Sequence, residues 1–161
     1  MPWFRSKKNS PSDVPSLFTV RNSRVVPAEP HAVWNLIRPA EKARLLNPDI
    51  VQTFSAPAQP EIGGTIQCFL AVVDGEEQFS AIVVLEEIEN RLAVIRNWGS
   101  HDPLSRQEYH LVPSGEGTEL TLISFFSHGP DAPVSVEKHQ AGHHAWNEEY
   151  LTAVERYFTG V

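Results

Sequence analysis

The amino-acid sequence predicts an α+β fold in which the helices are segregated from a single antiparallel sheet. Three observations carry that expectation. A strand-like run and two short helical pieces open the ordered part of the chain. Six β-rich runs then follow one another with only short turn-forming stretches between them. A single long helical pattern, Val134 to Phe158, comes last.

The elements can be justified in order. Residues 1–16 are polar and proline-spaced and read as a flexible lead-in, leaving 17–161 as one domain. "LFTVRNSRVV", Leu17 to Val26, has strand composition and is stopped by Pro27. "PHAVWNLIRP" has Pro30 placed like a first-turn proline, Pro39 as a stop, and Val33, Leu36 and Ile37 as an apolar face. Trp34 reads as a packing residue of the same helix. "AEKARLL" is a second short helical piece, ended before "NPD". The strand runs are "VQTFSA", "GTIQCFLAVV", "QFSAIVVLEEIE", "RLAVIRNW", "RQEYHLV" and "TELTLISFF". Asp74-Gly75, Glu89-Asn90 and the Ser114–Gly117 stretch "SGEG" separate successive members as hairpin turns do. No internal repeat or low-complexity segment interrupts this order.

Bulk properties narrow the function classes. A chain of 161 residues can bury a substantial core as one domain. With 41% hydrophobic and 20% charged residues it is globular rather than disordered. A formal charge of −7, with basic residues scattered except for "RSKK" in the lead-in, argues against nucleic acid as a partner. The one cysteine, Cys68, cannot form an internal disulfide and suits a reducing compartment. No apolar run has signal-peptide or membrane-spanning length, so the expectation is a cytoplasmic protein without membrane insertion.

The phrases "RVVPAEPHAVWNLI", "NPDIVQT", "EIGGTI", "VLEEIENRLAV", "YHLVPSGEGTELTL" and "HAWNEEYLTAVERYF", in this order, resemble the SRPBCC superfamily, also called START-like or polyketide cyclase/dehydrase-like. The resemblance spans about Phe18 to Phe158. It implies a helix-grip fold: a curved antiparallel sheet wrapped around the long last helix, with an apolar cavity between them. The superfamily has no single catalytic motif, so the resemblance supplies no catalytic residues and no cofactor.

Periodicity selects the side chains that would face such a cavity. Projected at 3.6 residues per turn, Val136, His139, Gly142, His143, Trp146, Tyr150, Ala153, Val154 and Tyr157 share one face of the last helix. Lys138, Ala141, His144, Glu148, Thr152 and Glu155 fall largely opposite. Aromatic and imidazole groups have an apolar body and a hydrogen-bonding tip, which suits a small-molecule pocket as well as a satisfied core. Strand alternation places Leu120, Leu122, Ser124, Phe126 and His128 inward, with Tyr109 and Leu111. It favours Ile66, Cys68 and Leu70 on "TIQCFL", and leaves Phe79 as a guess because "QFSAIVVL" is apolar on both faces. "RLAVIRNW" has two parities, one sending Leu92, Val94, Arg96 and Trp98 inside, the other Ala93, Ile95 and Asn97. The wet face is the favoured place for Arg96, because unpaired buried charge is costly. The expected ligand-contacting set is Cys68, Leu70, Phe79, Trp98, Tyr109, Leu122, Ser124, Phe126, His139, His143, Trp146 and Tyr150.

Sharper chemistry rests on the histidines. His139 and His143 have the i, i+4 spacing of metal-binding helices, but "HQAGH" lacks the glutamate base of the zinc-protease motif. His128 is the best third ligand, with no obvious acidic support, so no metal is expected. A general acid/base role for His139 or His143 is more plausible, with Tyr109 or Tyr150 donating to a developing oxyanion. Cys68 reads as a buried small hydrophobe rather than a nucleophile, and "EIGGT" lacks the lysine and helix of a phosphate loop. The leading expectation is therefore a binder of a small hydrophobic or aromatic molecule. A cyclase/dehydrase-type enzyme and a chaperone-associated interaction module with a closed core are the alternatives. The oligomeric state is open, a homodimer being one option.

Overall fold

The computed structural model describes residues 15–59, 64–100, 102 and 104–161. The expected lead-in up to residue 14, and residues 61–63 of the "EIGGT" stretch, lie outside the described residues. The first strand, β1 (Ser16–Val26), runs to Pro27, and α1 (Pro30–Ile37) begins on its proline. There the fixed φ suits the helix, and the missing N–H would have had no partner. A 3-10 turn (Ala40–Lys42) and the one-turn α2 (Ala43–Leu46) follow, so the second helical piece is split into two short parts.

The remaining strands are β2 (Ile50–Gln59), β3 (Gly64–Val73), β4 (Glu76–Ile88), β5 (Leu92–Asn97), β6 (Arg106–Ser114) and β7 (Gly117–His128), and α3 (Val136–Thr159) comes last. They form one curved antiparallel sheet in the order β1-β7-β6-β5-β4-β3-β2. Six strands meander in sequence order and β1 pairs on β7, so α1 and α2 carry the chain from one sheet edge to the other. Asp74 (φ 53°) and Gly75 (φ 83°) both have positive φ, the requirement of a two-residue turn that matches strand twist. Asn90 (φ 61°) plays the same part between β4 and β5. The fold is the α+β helix-grip that the sequence predicts.

α3 starts two residues later than the sequence pattern, because Ser135 caps it by accepting from the Lys138 backbone N–H at 3.3 Å. Gly160, in the left-handed conformation, ends it. Its fully buried residues are Asn147, Leu151 and Val154. Leu151 and Val154 join Val33, Trp34, Leu36 and Ile37 of α1, and Leu111, Leu120 and Leu122 of the sheet, in the hydrophobic core. This packing fills part of the sheet's concave side and leaves the rest hollow.

Candidate functional site

The hollow is a cavity of about 1480 Å³, open on one side to solvent and bordered by α3, the α1–α2 connection and the inner face of the sheet. Alternation along the strands points Gln67, Phe69 and Ala71 of β3, Ser80 and Ile82 of β4, Ile95 and Asn97 of β5, Gln107 and Tyr109 of β6, and Ser124 of β7 toward it. Helix α3 contributes His139, Gly142, His143, Trp146, Tyr150 and Ala153.

One wall is an aromatic series. His143 stacks on Phe126 at 4.5 Å between ring centroids, and His139 lies 4.2 Å from the same ring. The two histidines share an Nε2···Nε2 contact of 3.3 Å, in which one ring must donate and the other accept. Farther along, Trp146 stacks on Tyr150 at 5.4 Å, and Tyr150 meets Tyr109 edge-on at 5.7 Å. Burial, and then the charge of His139, hold the His143 pKa below the ordinary histidine value, so a neutral imidazole faces the cavity at neutral pH. Burial pushes both phenols up, against the opposing pull of the Arg38 charge. Both tyrosines therefore remain protonated donors.

A second group of contacts fastens α3 to β1 and defines the cavity's polar side. The Tyr109 hydroxyl donates to Gln107 Oε1 at 3.3 Å, and Gln107 Nε2 donates to Asn147 Oδ1 at 2.9 Å. Ser124 Oγ donates to the same oxygen at 3.2 Å, and Asn147 Nδ2 donates to Asn22 Oδ1 at 3.1 Å. Asn22 Nδ2 donates in turn to Glu148 Oε1 at 2.5 Å and lies 2.7 Å from His144 Nδ1. Arg24 adds ion pairs to Glu148 (2.9 Å) and Glu155 (3.1 Å) and a hydrogen bond to Thr152. A continuous chain of side chains thus runs from the cavity tyrosine through the buried asparagine to the edge strand.

The expected ligand-contacting residues divide into four groups. Tyr109, Ser124, His139, His143, Trp146 and Tyr150 come together on the cavity wall. Leu122 and Phe126 share the inner face but are covered, Leu122 by the core and Phe126 by the two histidines. Cys68, Leu70 and Trp98 lie on the opposite face of the sheet. Phe54 pairs with Cys68, Cys68 with Ala81, and the Trp98 N–H donates to the Ala81 carbonyl, forming one cross-strand row there. Phe79 pairs with Leu70 and only borders the cavity, at 64% exposure. The β3 parity is reversed from the expected one because a polar side chain is satisfied inside: Gln67 Nε2 donates to the Arg38 carbonyl at 3.0 Å. Cys68 is buried on the outer face, and that burial pushes its thiol pKa up and keeps it protonated. On β5 the inward set is Ala93, Ile95 and Asn97, which leaves Arg96 outside.

The helix faces also differ from the projection. His144, Glu148, Thr152 and Glu155, which the projection sets largely opposite the cavity face, grip β1, because Asn22 and Arg24 give the edge strand a polar inner face. Asn147, Gln107 and Arg38 were missed altogether. The signal for Asn147 was its place in the stripe Asn147, Leu151, Val154 and Phe158, where spacings of four, three and four mark a packed face. Among the described residues no group of three or more His, Cys, Asp or Glu side chains gathers to hold a metal ion. Also among them, no helix is long and apolar enough to cross a membrane.

No family model and no curated protein sequence matches this chain. Solved structures do resemble it. A START superfamily protein from Mycobacterium smegmatis superposes with a TM-score of 0.68 at 15% identity, over 88% of this chain and 97% of that one. Ara h 8.0201 gives 0.66 at 18% identity, over 91% and 100%. The Zhui aromatase/cyclase from Streptomyces sp. R1128 gives 0.62 at 13% identity, over 90% and 93%. At such identities the likeness is one of fold.

Proposed function

We propose that residues 17–161 act as one START-like domain that binds a small, mainly apolar molecule between the sheet and α3. The observation that carries this reading is the cavity itself. Ligand clefts span roughly 300–1,000 Å³ and join apolar walls to a few convergent polar groups. Here about 1480 Å³ is bordered by Phe69, Ile82, Ile95 and Trp146, with Tyr109, Tyr150, Ser124 and Gln107 as the polar groups. That volume has room for an extended or multi-ring hydrophobic or aromatic molecule. A closed-core interaction module would not need such a space. The lone, buried, protonated cysteine suits a cytoplasmic setting.

The test is a titration with the neutral fluorophore 1-aminoanthracene. Saturable binding with quenching of Trp146 emission, removed in Trp146→Phe, is expected. Absence of saturable binding, with no apolar molecule retained in native mass spectrometry, would overturn the reading.

A second reading is favoured by one specific contact. The paired, partly buried His139 and His143 have a neutral imidazole available as a proton acceptor in the cavity that protonated Tyr109 and Tyr150 also line. A cyclase/dehydrase-type enzyme would use His143 as base and Tyr109 or Tyr150 as oxyanion donor. For a bound substrate, His143→Gln should then abolish turnover with affinity kept within a few-fold; retained turnover removes this reading.

A further inference from the structure

Among the described residues two buried side-chain nitrogens have no hydrogen-bond partner, Arg38 Nη2 and His128 Nδ1, and of the two residues only Arg38 lines the cavity. It follows the last residue of α1, is only 6% exposed and forms part of the cavity wall. Its Nε donates to Glu87 Oε1 at 2.7 Å, while its Nη2 is buried with no hydrogen-bond partner among the described residues. Glu87 sits at the wetter end of that pair, with 42% of its side chain exposed, so water screens the one carboxylate that pairs with the guanidinium among the described residues. Arg38 lines the same cavity as Tyr109 and Tyr150. A buried donor without a protein acceptor is open to one supplied by water or by a bound molecule.

The charge around the cavity points the same way. In a chain of net charge −7, the cavity is bordered among the described residues by Arg38, Arg106, Lys138 and Arg156 against two carboxylates, Asp49 and Glu149. A local excess of positive charge in an acidic protein draws in anions.

We propose that the molecule this cavity takes is an amphipathic carboxylic acid, whose carboxylate accepts hydrogen bonds from Arg38 Nη2. The Tyr150 hydroxyl donates to the second carboxylate oxygen, and the apolar body lies along Ile82, Ile95 and Trp146. The guanidinium fits because its planar fork presents two N–H groups on one nitrogen to a planar acceptor. This rests on the cavity-binding reading above and specifies the chemical class of its ligand.

The experiment is competition against bound 1-aminoanthracene at pH 7.5 with two matched pairs: decanoic acid against methyl decanoate, and 2-naphthoic acid against methyl 2-naphthoate. The expected result for the intact chain is at least tenfold tighter binding of the acid than of the ester in one pair or both. In Arg38→Met the acid-over-ester ratio should fall to about one, and in Arg38→Lys it should survive in part. Glu87→Gln, which removes the competing carboxylate, should raise the ratio. The unsubstituted chain together with Arg38→Lys and Glu87→Gln decides the matter if Arg38→Met does not fold. Equal affinity for acid and ester in the intact chain overturns the carboxylate anchor and leaves the cavity reading standing. A preference that persists undiminished in Arg38→Met overturns the assignment to Arg38. If 1-aminoanthracene does not bind and native mass spectrometry finds no retained apolar molecule, the cavity reading fails and the anchor fails with it.

Discussion

Replacing Asn147 with alanine tests how the long helix is held over the sheet. Asn147 is fully buried and takes part in three hydrogen bonds: its Oδ1 accepts from Gln107 and Ser124, and its Nδ2 donates to Asn22. A buried neutral hydrogen bond contributes about 1 kcal/mol net, so the three are worth about 3 kcal/mol together. The stranded partners add to that unevenly. Gln107 borders the cavity and can turn to water, whereas the Asn22 oxygen is buried and loses its donor, which costs roughly 1–2 kcal/mol more. The expected loss is therefore about 3–5 kcal/mol. In urea denaturation it should appear as a lower midpoint at unchanged slope, and in a thermal scan as a fall of about 10 °C for a chain of this size. Adding Asn22→Ala to Asn147→Ala should cost clearly less than Asn22→Ala alone, because the two residues share one network. A loss below about 1 kcal/mol for Asn147→Ala would refute the reasoning, since α3 would then be held by its apolar contacts without this chain.

Two further outcomes follow from particular residues. Gly117 has φ +142°, and an added Cβ would fall on the Val26 carbonyl oxygen and close to the Ala28 nitrogen, so Gly117→Ala should cost at least about 2 kcal/mol by urea denaturation. Gly75, with φ +83° but nothing near its Cβ position, should lose only about 1 kcal/mol in Gly75→Ala, and equal losses at the two sites would contradict this account. For His143, burial and the neighbouring His139 depress the folded-state pKa, so the unfolded chain takes up the proton first. Its contribution is fully present above the ordinary histidine pKa of about 6.5 and is lost as pH falls through the lower folded-state value. His143→Phe should therefore show a flatter fall of stability between pH 7 and pH 5 than the unsubstituted chain, and an identical slope would count against it.

Much of the fold was legible because its signals are local. Pro27, Pro30 and Pro39 mark the first strand and helix through φ restriction alone. Asp74-Gly75 and Asn90 supply the positive φ values that tight turns need. β7 was read correctly because one of its faces is strongly apolar: Leu120, Leu122 and Phe126 are buried as alternation requires. β3 was misread for the converse reason. "TIQCFL" is apolar enough on both faces that alternation cannot choose, and the deciding contact is Gln67 to the Arg38 carbonyl. That contact joins two segments far apart in sequence. The outer face of α3 failed in the same way, since His144 and Glu148 look solvated until Asn22 and Arg24 of β1 are placed beside them. Polar residues that pair across long sequence separations carry no periodic signature, and Asn147, Gln107 and Arg38 all belong to that class.

Gly142 offers a test in which stability and binding move in opposite directions. Glycine inside a helix costs about 1 kcal/mol relative to alanine, and two structural reasons could retain it: a bend, or close approach of the sheet. α3 is assigned as one helix from Val136 to Thr159, and a Cβ at residue 142 would meet nothing within 4 Å, so close approach of the sheet is not the reason. What lies beyond the missing Cβ is the cavity. Gly142→Ala should then stabilise the chain by about 0.8–1 kcal/mol, read as a higher urea midpoint at constant slope. Gly142→Leu should keep most of that gain while weakening 1-aminoanthracene binding by tenfold or more, because its side chain occupies ligand space. Were this face of α3 a packed core, the same enlargement would cost about 1–3 kcal/mol through overpacking. Destabilisation by Gly142→Ala would therefore mean that the space is closed in solution, and both the cavity and what is proposed to fill it would have to be abandoned.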